Sequence, residues 1–215
     1  MFPFAPQLRF LRPPMRALSA VGALAGLSLT SAVGVLPAAS AQAANLATCP
    51  VPVLSQPFLR FGDANYYSLI PDGGFESLPL EWTLLGGAGR GLGGDPYDLT
   101  GKVSLWSLSL PTSAVAQSPS MCVEPSDRTF RFMARSEGAP ATVRVQLVYH
   151  TLTGLLLSAG TVVSLNTAWE PSPILHTGAA LATAITGETA YLSLRFTTLT
   201  GHARIDDVFL DPRRR

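Results

Sequence analysis

The chain has 215 residues, of which 47% are hydrophobic and 13% charged, and its formal net charge is +1. This composition supports a buried core and excludes a chain that is disordered throughout. It also excludes a basic surface for nucleic acid, because the only dense basic run is at residues 213–215. About 170 residues remain after an export signal, which is the size of one domain.

Residues 1–44 have the pattern of a secretory signal peptide. Arg9, Arg12 and Arg16 precede an uncharged segment that ends in overlapping Ala-x-Ala sites near residue 43. Translation from Met15 would give the same signal without the proline-containing leader. An uncleaved membrane anchor is the alternative, since the apolar segment is long enough to span a bilayer. The Ala-x-Ala sites favour cleavage, so we predict a secreted protein with no membrane span in its mature form.

The remaining chain contains two cysteines, Cys49 and Cys122. In an oxidising compartment an isolated pair of cysteines predicts a disulfide. Neither cysteine lies in a C-x-x-C motif or near a histidine, as a redox or metal site would require. We predict that the bond ties an N-terminal extension, residues 45–65, to a single domain at residues 66–212.

From Pro50 onward, short runs of alternating apolar and polar residues are separated by Gly, Pro, Asn and Asp. This pattern is typical of antiparallel strands. Residues 86–94 are predicted to be a glycine-rich loop, and residues 178–187 are predicted to form either a short helix or a helical turn within a long connection. Long strands with one apolar face predict an all-β, two-sheet antiparallel β-sandwich. The clearest predicted strands are residues 103–110, 128–135, 142–150 and 191–198.

Two short motifs point to a known fold family. They are PDGGFE at residues 71–76, followed by Glu81 and Trp82, and RIDDVFL at residues 204–210. Together they resemble the N-G-x-F-E…W opening and I-D-D-V-x-L closing of jelly-roll carbohydrate-binding modules of the galactose-binding-like superfamily. Asp72 stands where that pattern usually has Asn. The resemblance spans about residues 66–212 and implies a jelly roll.

The resemblance also implies one structural Ca²⁺. In such modules the first and last strands lie side by side, and carboxylates meet backbone carbonyls at an ion that takes about six to eight oxygens. Glu76 and Asp206 would be the side-chain ligands. Alternation places Asp206 beside Val208 near a buried face, where an acid needs compensation. The alternative is that Asp206 caps a turn or pairs with Arg204 or Arg195. Glu76 would then be solvated.

The predicted function is binding. A pyranose packs its apolar face on Trp or Tyr, so sugar binding needs exposed rings. Tyr97 and Trp169 are the predicted ligand-binding residues, whereas Trp82 and Trp106 are predicted to be structural. We predict a secreted, non-catalytic domain for a glycan or cell-wall polymer. The alternative is a structural or adhesion-type extracellular protein that binds other proteins.

The sequence carries no hydrolase motif. His150, His176 and His202 lie outside any H-E-x-x-H, and neither G-x-S-x-G nor S-x-x-K occurs. The paired acids are better explained by turn or cation chemistry. We therefore expect that the protein is not an enzyme.

Overall fold

The computed structural model describes residues 49–151, 154–186 and 190–212, and the predicted signal peptide lies outside this part of the chain. The described residues form two antiparallel sheets of seven strands each, so the predicted all-β sandwich is confirmed. Helix α1 (Ala179–Thr186) lies where the short helix is predicted. No helix in these described ranges is long and apolar enough to span a membrane.

Fourteen strands follow one another along the described part of the chain. A single 3-10 turn, Leu59–Phe61, precedes them. The strands are β1 (Ser68–Leu69), β2 (Thr83–Leu85), β3 (Gly89–Leu92), β4 (Trp106–Leu110), β5 (Val115–Gln117), β6 (Met121–Val123), β7 (Thr129–Ser136), β8 (Ala141–Thr151), β9 (Gly154–Leu157), β10 (Thr161–Leu165), β11 (Glu170–Pro171), β12 (Leu175–His176), β13 (Ala190–Thr200) and β14 (Ala203–Asp211).

The two sheets have the non-sequential strand orders of a jelly roll. The first sheet has the order β11-β7-β14-β4-β3, with β1 also paired to β14 and β12 to β7. The second has the order β10-β8-β13-β5-β2, with β6 also paired to β13 and β9 to β8. The long pairing of β8 with β13 runs from Tyr191 opposite His150 to Thr200 opposite Thr142.

The main core lies between the sheets and follows the alternation of the sequence. Strand β13 contributes Leu192, Leu194 and Phe196, and the facing strand β7 contributes Phe132. The rings of Phe132 and Phe196 meet edge to face, with centroids 5.1 Å apart. Trp82 packs against Phe196 from the other side, with centroids 5.9 Å apart. Burial of each large apolar side chain stabilises the fold by about 1.5–3 kcal/mol.

A second, smaller core lies on the outer face of the first sheet. Residues 55–67, which we call the arm, bring Phe58 and Tyr67 against Met133 and Phe209. The Tyr67 hydroxyl donates to Asp63 Oδ2 at 2.7 Å. This face is therefore covered, because Met133 and Phe209 are buried.

The predicted disulfide is present. Cys49 Sγ and Cys122 Sγ are bonded at 2.05 Å and are separated by 73 residues of sequence. The bond joins the start of the described chain to β6, ahead of the arm.

The structure corrects the prediction that residues 86–94 are only a loop, because β3 lies within this segment and pairs with β4. The glycines are the physical reason. A Cβ at Gly91 would overlap the guanidinium of Arg204, which lies across the strand at that point. The absence of a side chain at Gly91 thus lets β3 form a strand that the neighbouring arginine crosses.

Candidate functional site

The two sequence motifs meet at the edge where β1 pairs with β14. The Ile70 amide donates to Val208 O, and the Val208 amide donates to Gly73 O, both at 3.0 Å. The PDGGFE segment is thereby held along the last strand. The side-by-side placement of the first and last strands that the resemblance implies is observed.

Three carboxylates gather beside this contact. Asp95, Asp206 and Asp207 each offer an oxygen, and these oxygens lie within 4.8 Å of one another. All three side chains are buried. Asp207 has a φ of 46° and lies at the irregularity between Asp206 and Phe209 in the pairing of β14 with β7. The bend in the strand turns two successive acids toward one place.

Hydrogen bonds satisfy only part of this acid cluster. Asp206 Oδ2 accepts from the Asp95 amide at 2.9 Å and from Ser104 Oγ at 2.7 Å. Asp206 Oδ1 accepts from the Asp207 amide at 2.8 Å. Asp95 Oδ2 and Asp207 Oδ2, in contrast, are buried and accept no hydrogen bond from the described residues. A buried acceptor without a donor is costly.

The electrostatics of the cluster oppose full ionisation. Burial raises the pKa of Asp206 to about 7, although its three hydrogen bonds act in the other direction. Burial also raises the pKa of Asp207. The side-chain interaction with Asp95 and the negative charge of Asp206 raise this pKa further. Like charges in a low-dielectric site cannot all persist without a proton or a cation. The donor set is all oxygen, which is what a hard divalent cation such as Ca²⁺ takes, so these residues fit such an ion.

Only one of the two predicted Ca²⁺ ligands belongs to this cluster. Asp206 belongs to it, while Glu76 lies at its margin, where its charge also raises the pKa of Asp207. Glu76 Oε1 accepts from the amides of Leu105 and Trp106, at 2.9 and 2.8 Å. Glu76 is therefore tied to the start of β4 rather than freely solvated.

Sequence reasoning missed Asp95 and Asp207 as members of the cluster. The Asp206-Asp207 doublet was the available signal, but period-two alternation assigns the two acids to opposite faces. Arg204 does not serve as the partner of Asp206, because its Nη2 donates to Leu92 O and its Nε lies 3.5 Å from Glu137 Oε1. The predicted alternative of an Arg204–Asp206 ion pair is wrong.

The two predicted ligand-binding rings lie close together. Tyr97 Oη donates to Trp169 O at 3.4 Å, and both rings are half-buried. The Arg60 guanidinium lies 4.6 Å from the Tyr97 ring centroid, and that of Arg135 lies 5.5 Å from the Trp169 ring. A groove of about 580 Å³ runs between the arm and Tyr97.

The outer face of the second sheet carries a separate set of polar side chains. Tyr191 is 46% exposed and lies opposite His150 across the β13–β8 pairing. Four residues further along β13, Arg195 lies opposite Gln146 on one side and Gln117 on the other. These residues point outward because Leu192, Leu194 and Phe196 alternate with them and point into the core. Sequence reasoning did not select this face.

Fold and cluster together define a two-sheet β-sandwich with a buried oxygen-rich site beside the pairing of its first and last strands. No protein-family model matches the chain, and no curated protein matches it. The chain is similar in structure to a family 11 carbohydrate-binding module from Clostridium thermocellum, in complex with a β-1,3-1,4-mixed-linked tetrasaccharide. The match covers 67% of this chain and 94% of that one, at 11% identity and a TM-score of 0.44.

Two further solved structures are similar at the same level. One is a CBM22-type xylan-binding domain from Paenibacillus barcinonensis, with 11% identity, 63% of this chain and 88% of that chain covered, and a TM-score of 0.41. The other is the enzymatically active domain of tailspike protein 4 from bacteriophage CBA120, with 20% identity, coverage of 66% and 21%, and a TM-score of 0.40.

Proposed function

We propose that this protein is a secreted binding domain for a glycan or cell-wall polymer, and that binding itself uses no catalytic group. The observation that supports this proposal is the outer face of the second sheet, where an exposed Tyr191 ring lies in register with hydrogen-bonding side chains. The matching face of the first sheet is covered by the arm, whereas this one stays partly exposed.

The chemistry of this face suits a sugar. The Tyr191 ring offers an apolar surface for a pyranose, and His150, Gln146 and Arg195 offer donors and acceptors for hydroxyl groups. His150 Nε2 lies 3.0 Å from Ser193 Oγ, so the imidazole is already oriented on the sheet. Because strands β8 and β13 hold these side chains, little ordering is needed when a ligand binds.

The groove beside Tyr97 is the second proposed location. Tyr97 is one of the two rings that the sequence predicts to bind ligand, and Trp169, the other, contacts Tyr97 without lining the groove. Arg60 would have to leave the Tyr97 ring before a sugar could stack there, since its guanidinium lies over that ring. Gln56, Asp98 and Thr100 line the groove and would supply polar contacts.

Calorimetry and affinity electrophoresis with soluble mixed-linkage β-glucan and xylan test the proposal. We expect Tyr191→Ala to weaken binding about tenfold or more, a loss of about 1.4 kcal/mol. Tyr66→Ala is the matched control, because Tyr66 is 50% exposed on the arm, and it should bind as the unchanged protein does. A loss confined to Tyr97→Ala or Trp169→Ala would move the site to the groove. Absence of binding to these polymers and to a broad glycan array would contradict the proposal.

We further propose that Ca²⁺ occupies the acid cluster as a structural ion. Asp95, Asp206 and Asp207 would hold it, with Glu76 adjacent. The ion would neutralise the buried charge and supply a partner for the two unpaired oxygens. It would act on stability, because the cluster lies on the first sheet and Tyr191 on the second.

Protein binding is the alternative function, and one observation favours it. Leu155, Leu156 and Leu157 are 65%, 54% and 46% exposed along β9, which pairs only with β8. An exposed apolar edge strand is a common pairing surface for another chain. If no glycan binds, β9 is the surface to examine for a protein partner.

A further inference from the structure

We propose that Ser109, His202 and Glu137 form a site for the hydrolysis of carboxylic esters. Ser109 Oγ lies 2.8 Å from His202 Nε2, and His202 Nδ1 lies 3.3 Å from Glu137 Oε2. This is the nucleophile, base and orienting carboxylate arrangement of serine hydrolases, which is recognised by geometry rather than by sequence position. The inference goes beyond the proposed binding function and departs from the sequence expectation that the protein is not an enzyme.

Strand pairing places the three side chains at one end of the first sheet. Ser109 is on β4 and faces outward, because Leu108 and Leu110 on either side of it are in the core. Glu137 begins the turn after β7, and His202 lies in the turn before β14. The Glu137 amide donates to His202 O at 2.8 Å, which locks the two turns together.

The contacts select the histidine tautomer that catalysis needs. Glu137 Oε2 faces Nδ1 at 3.3 Å, and the tautomer with its proton on Nδ1 leaves the lone pair of Nε2 facing Ser109 Oγ. The other oxygen of Glu137 lies 3.2 Å from Arg135 Nη2 and 3.5 Å from Arg204 Nε, and these contacts hold the carboxylate in place. Glu137 is thus a positioning residue, and Ser109 and His202 are the catalytic residues.

The space beside Ser109 is open to a substrate. Gly89 lies directly opposite Ser109 on β3, and a Cβ at that glycine would meet no atom within 4 Å. On the other side Ser109 is opposite Arg204, whose guanidinium donates to Leu92 O and lies beside Glu137, so its positive charge acts on a developing oxyanion through space rather than by a direct hydrogen bond. Ser109 and His202 are only half-buried, so a short acyl group, such as acetyl, carried on a larger alcohol can reach the hydroxyl.

The reaction balances with water as the second substrate. Ser109 Oγ attacks the ester carbonyl carbon while His202 Nε2 takes its proton. The tetrahedral intermediate then breaks the bond to the alcohol oxygen, which leaves with that proton, and an acyl-serine remains. Water attacks the acyl carbon as His202 takes its proton, the bond to Oγ breaks, and the proton returns to Ser109. The products are the alcohol and the carboxylic acid.

Covalent labelling of the purified protein by a fluorophosphonate, with the modified peptide identified by mass spectrometry, tests the proposal. We expect an adduct on Ser109 that is absent in Ser109→Ala and forms at least about 100-fold more slowly in His202→Asn. Hydrolysis of p-nitrophenyl acetate should fall in parallel. Melting temperatures of the variants establish that each is folded.

Two controls separate catalysis from structure. Ser107 lies two residues earlier on the same face of β4, where its hydroxyl donates to Gly93 O at 2.8 Å, so Ser107→Ala should keep labelling. Glu137→Gln should slow labelling although the variant stays folded, because the imidazolium formed in the reaction loses its anionic partner, and Glu137→Asp should recover part of the rate, an effect that a purely structural role would not produce.

The proposal is overturned if the folded, unchanged protein forms no adduct at Ser109, or if Ser107→Ala loses labelling as fully as Ser109→Ala. Tyr191→Ala should leave labelling unchanged, because Tyr191 lies on the other sheet. Failure of ester hydrolysis is therefore distinguishable from failure of glycan binding.

Discussion

At the scale of single residues, Asp207 combines three features that each cost stability. It combines a positive φ of 46°, near-complete burial and a carboxylate oxygen without a hydrogen-bond donor. Gly74 allows the close approach, since a Cβ there would lie 3.3 Å from Asp207 Oδ1. Strained, buried acids of this kind persist where the surrounding structure holds them, and they cluster at functional sites.

Calcium should therefore raise the melting temperature of the unchanged protein. At about 100 times its dissociation constant the ion would add about 2.7 kcal/mol to the free energy of unfolding. Asp207→Asn should lose this response, yet without the metal it should melt higher than the unchanged protein. Asn is neutral without taking up a proton, whereas the buried Asp207 carboxyl, whose pKa is raised by burial, must be protonated on folding at neutral pH. Thermal unfolding with Ca²⁺ and with a chelator measures both effects.

The chelated protein should also be more stable at acid pH than at neutral pH. Asp206 has a folded-state pKa of about 7 against an ordinary value of 3.8, so the folded state binds more protons between these values. Stability then falls as pH rises through this window. Asp98→Asn is the control, since Asp98 is an exposed acid in the loop that carries Asp95. Identical melting curves with and without Ca²⁺ would contradict the proposal that the acid cluster binds this ion.

At the scale of elements, the bend in β14 decides where the acids lie. Strict alternation places Asp206 and Val208 on one face. The irregularity between Asp206 and Phe209 separates them instead, so that Asp206 lies opposite Met133 of the second core while Val208 enters the main core. One extra residue in a strand changes the face of every residue beyond it.

The connection from β9 to β10 offers a second test at this scale. Gly160 has a φ of 88°, and a Cβ there would lie 2.9 Å from Val145 O on the neighbouring strand β8. Gly138 has a similar φ of 80° but open space around it. Gly138→Ala should cost about 1–2 kcal/mol from the left-handed backbone alone. Gly160→Ala should cost about 1–3 kcal/mol more, as urea unfolding measures. Equal losses in the two variants would show that the contact with β8 does not matter.

At the scale of the whole molecule, the arm and the disulfide join distant parts of the chain. Arg131 Nη1 donates to Asp63 Oδ2 at 2.8 Å, which ties the arm to β7. The disulfide then closes a loop of 73 residues that contains the arm, the PDGGFE segment and the Asp95 loop. Covering the first sheet in this way leaves the second sheet as the face with a ring and polar groups exposed together.

Removing the disulfide should destabilise the whole domain. The loop-closure model gives about 4 kcal/mol for a loop of this length. The double variant Cys49→Ser, Cys122→Ser should lose about this much free energy of unfolding, measured by urea titration. The unchanged protein under reducing conditions provides the matched comparison. A loss below about 1 kcal/mol would mean that the open chain is already restricted in its unfolded state.

The sequence by itself determined the class of fold, the principal strands, the short helix, the Cys49–Cys122 pair and one member of the acid cluster, Asp206. These features depend on local alternation, on turn residues or on simple counting of cysteines. The tertiary structure alone decided that Asp95 and Asp207 join Asp206, that β3 lies in the glycine-rich run, and that Ser109, Glu137 and His202 meet. The reason is physical: strand register, one bend in β14 and the packing of turns bring together residues far apart in the chain, and no local pattern encodes those distances.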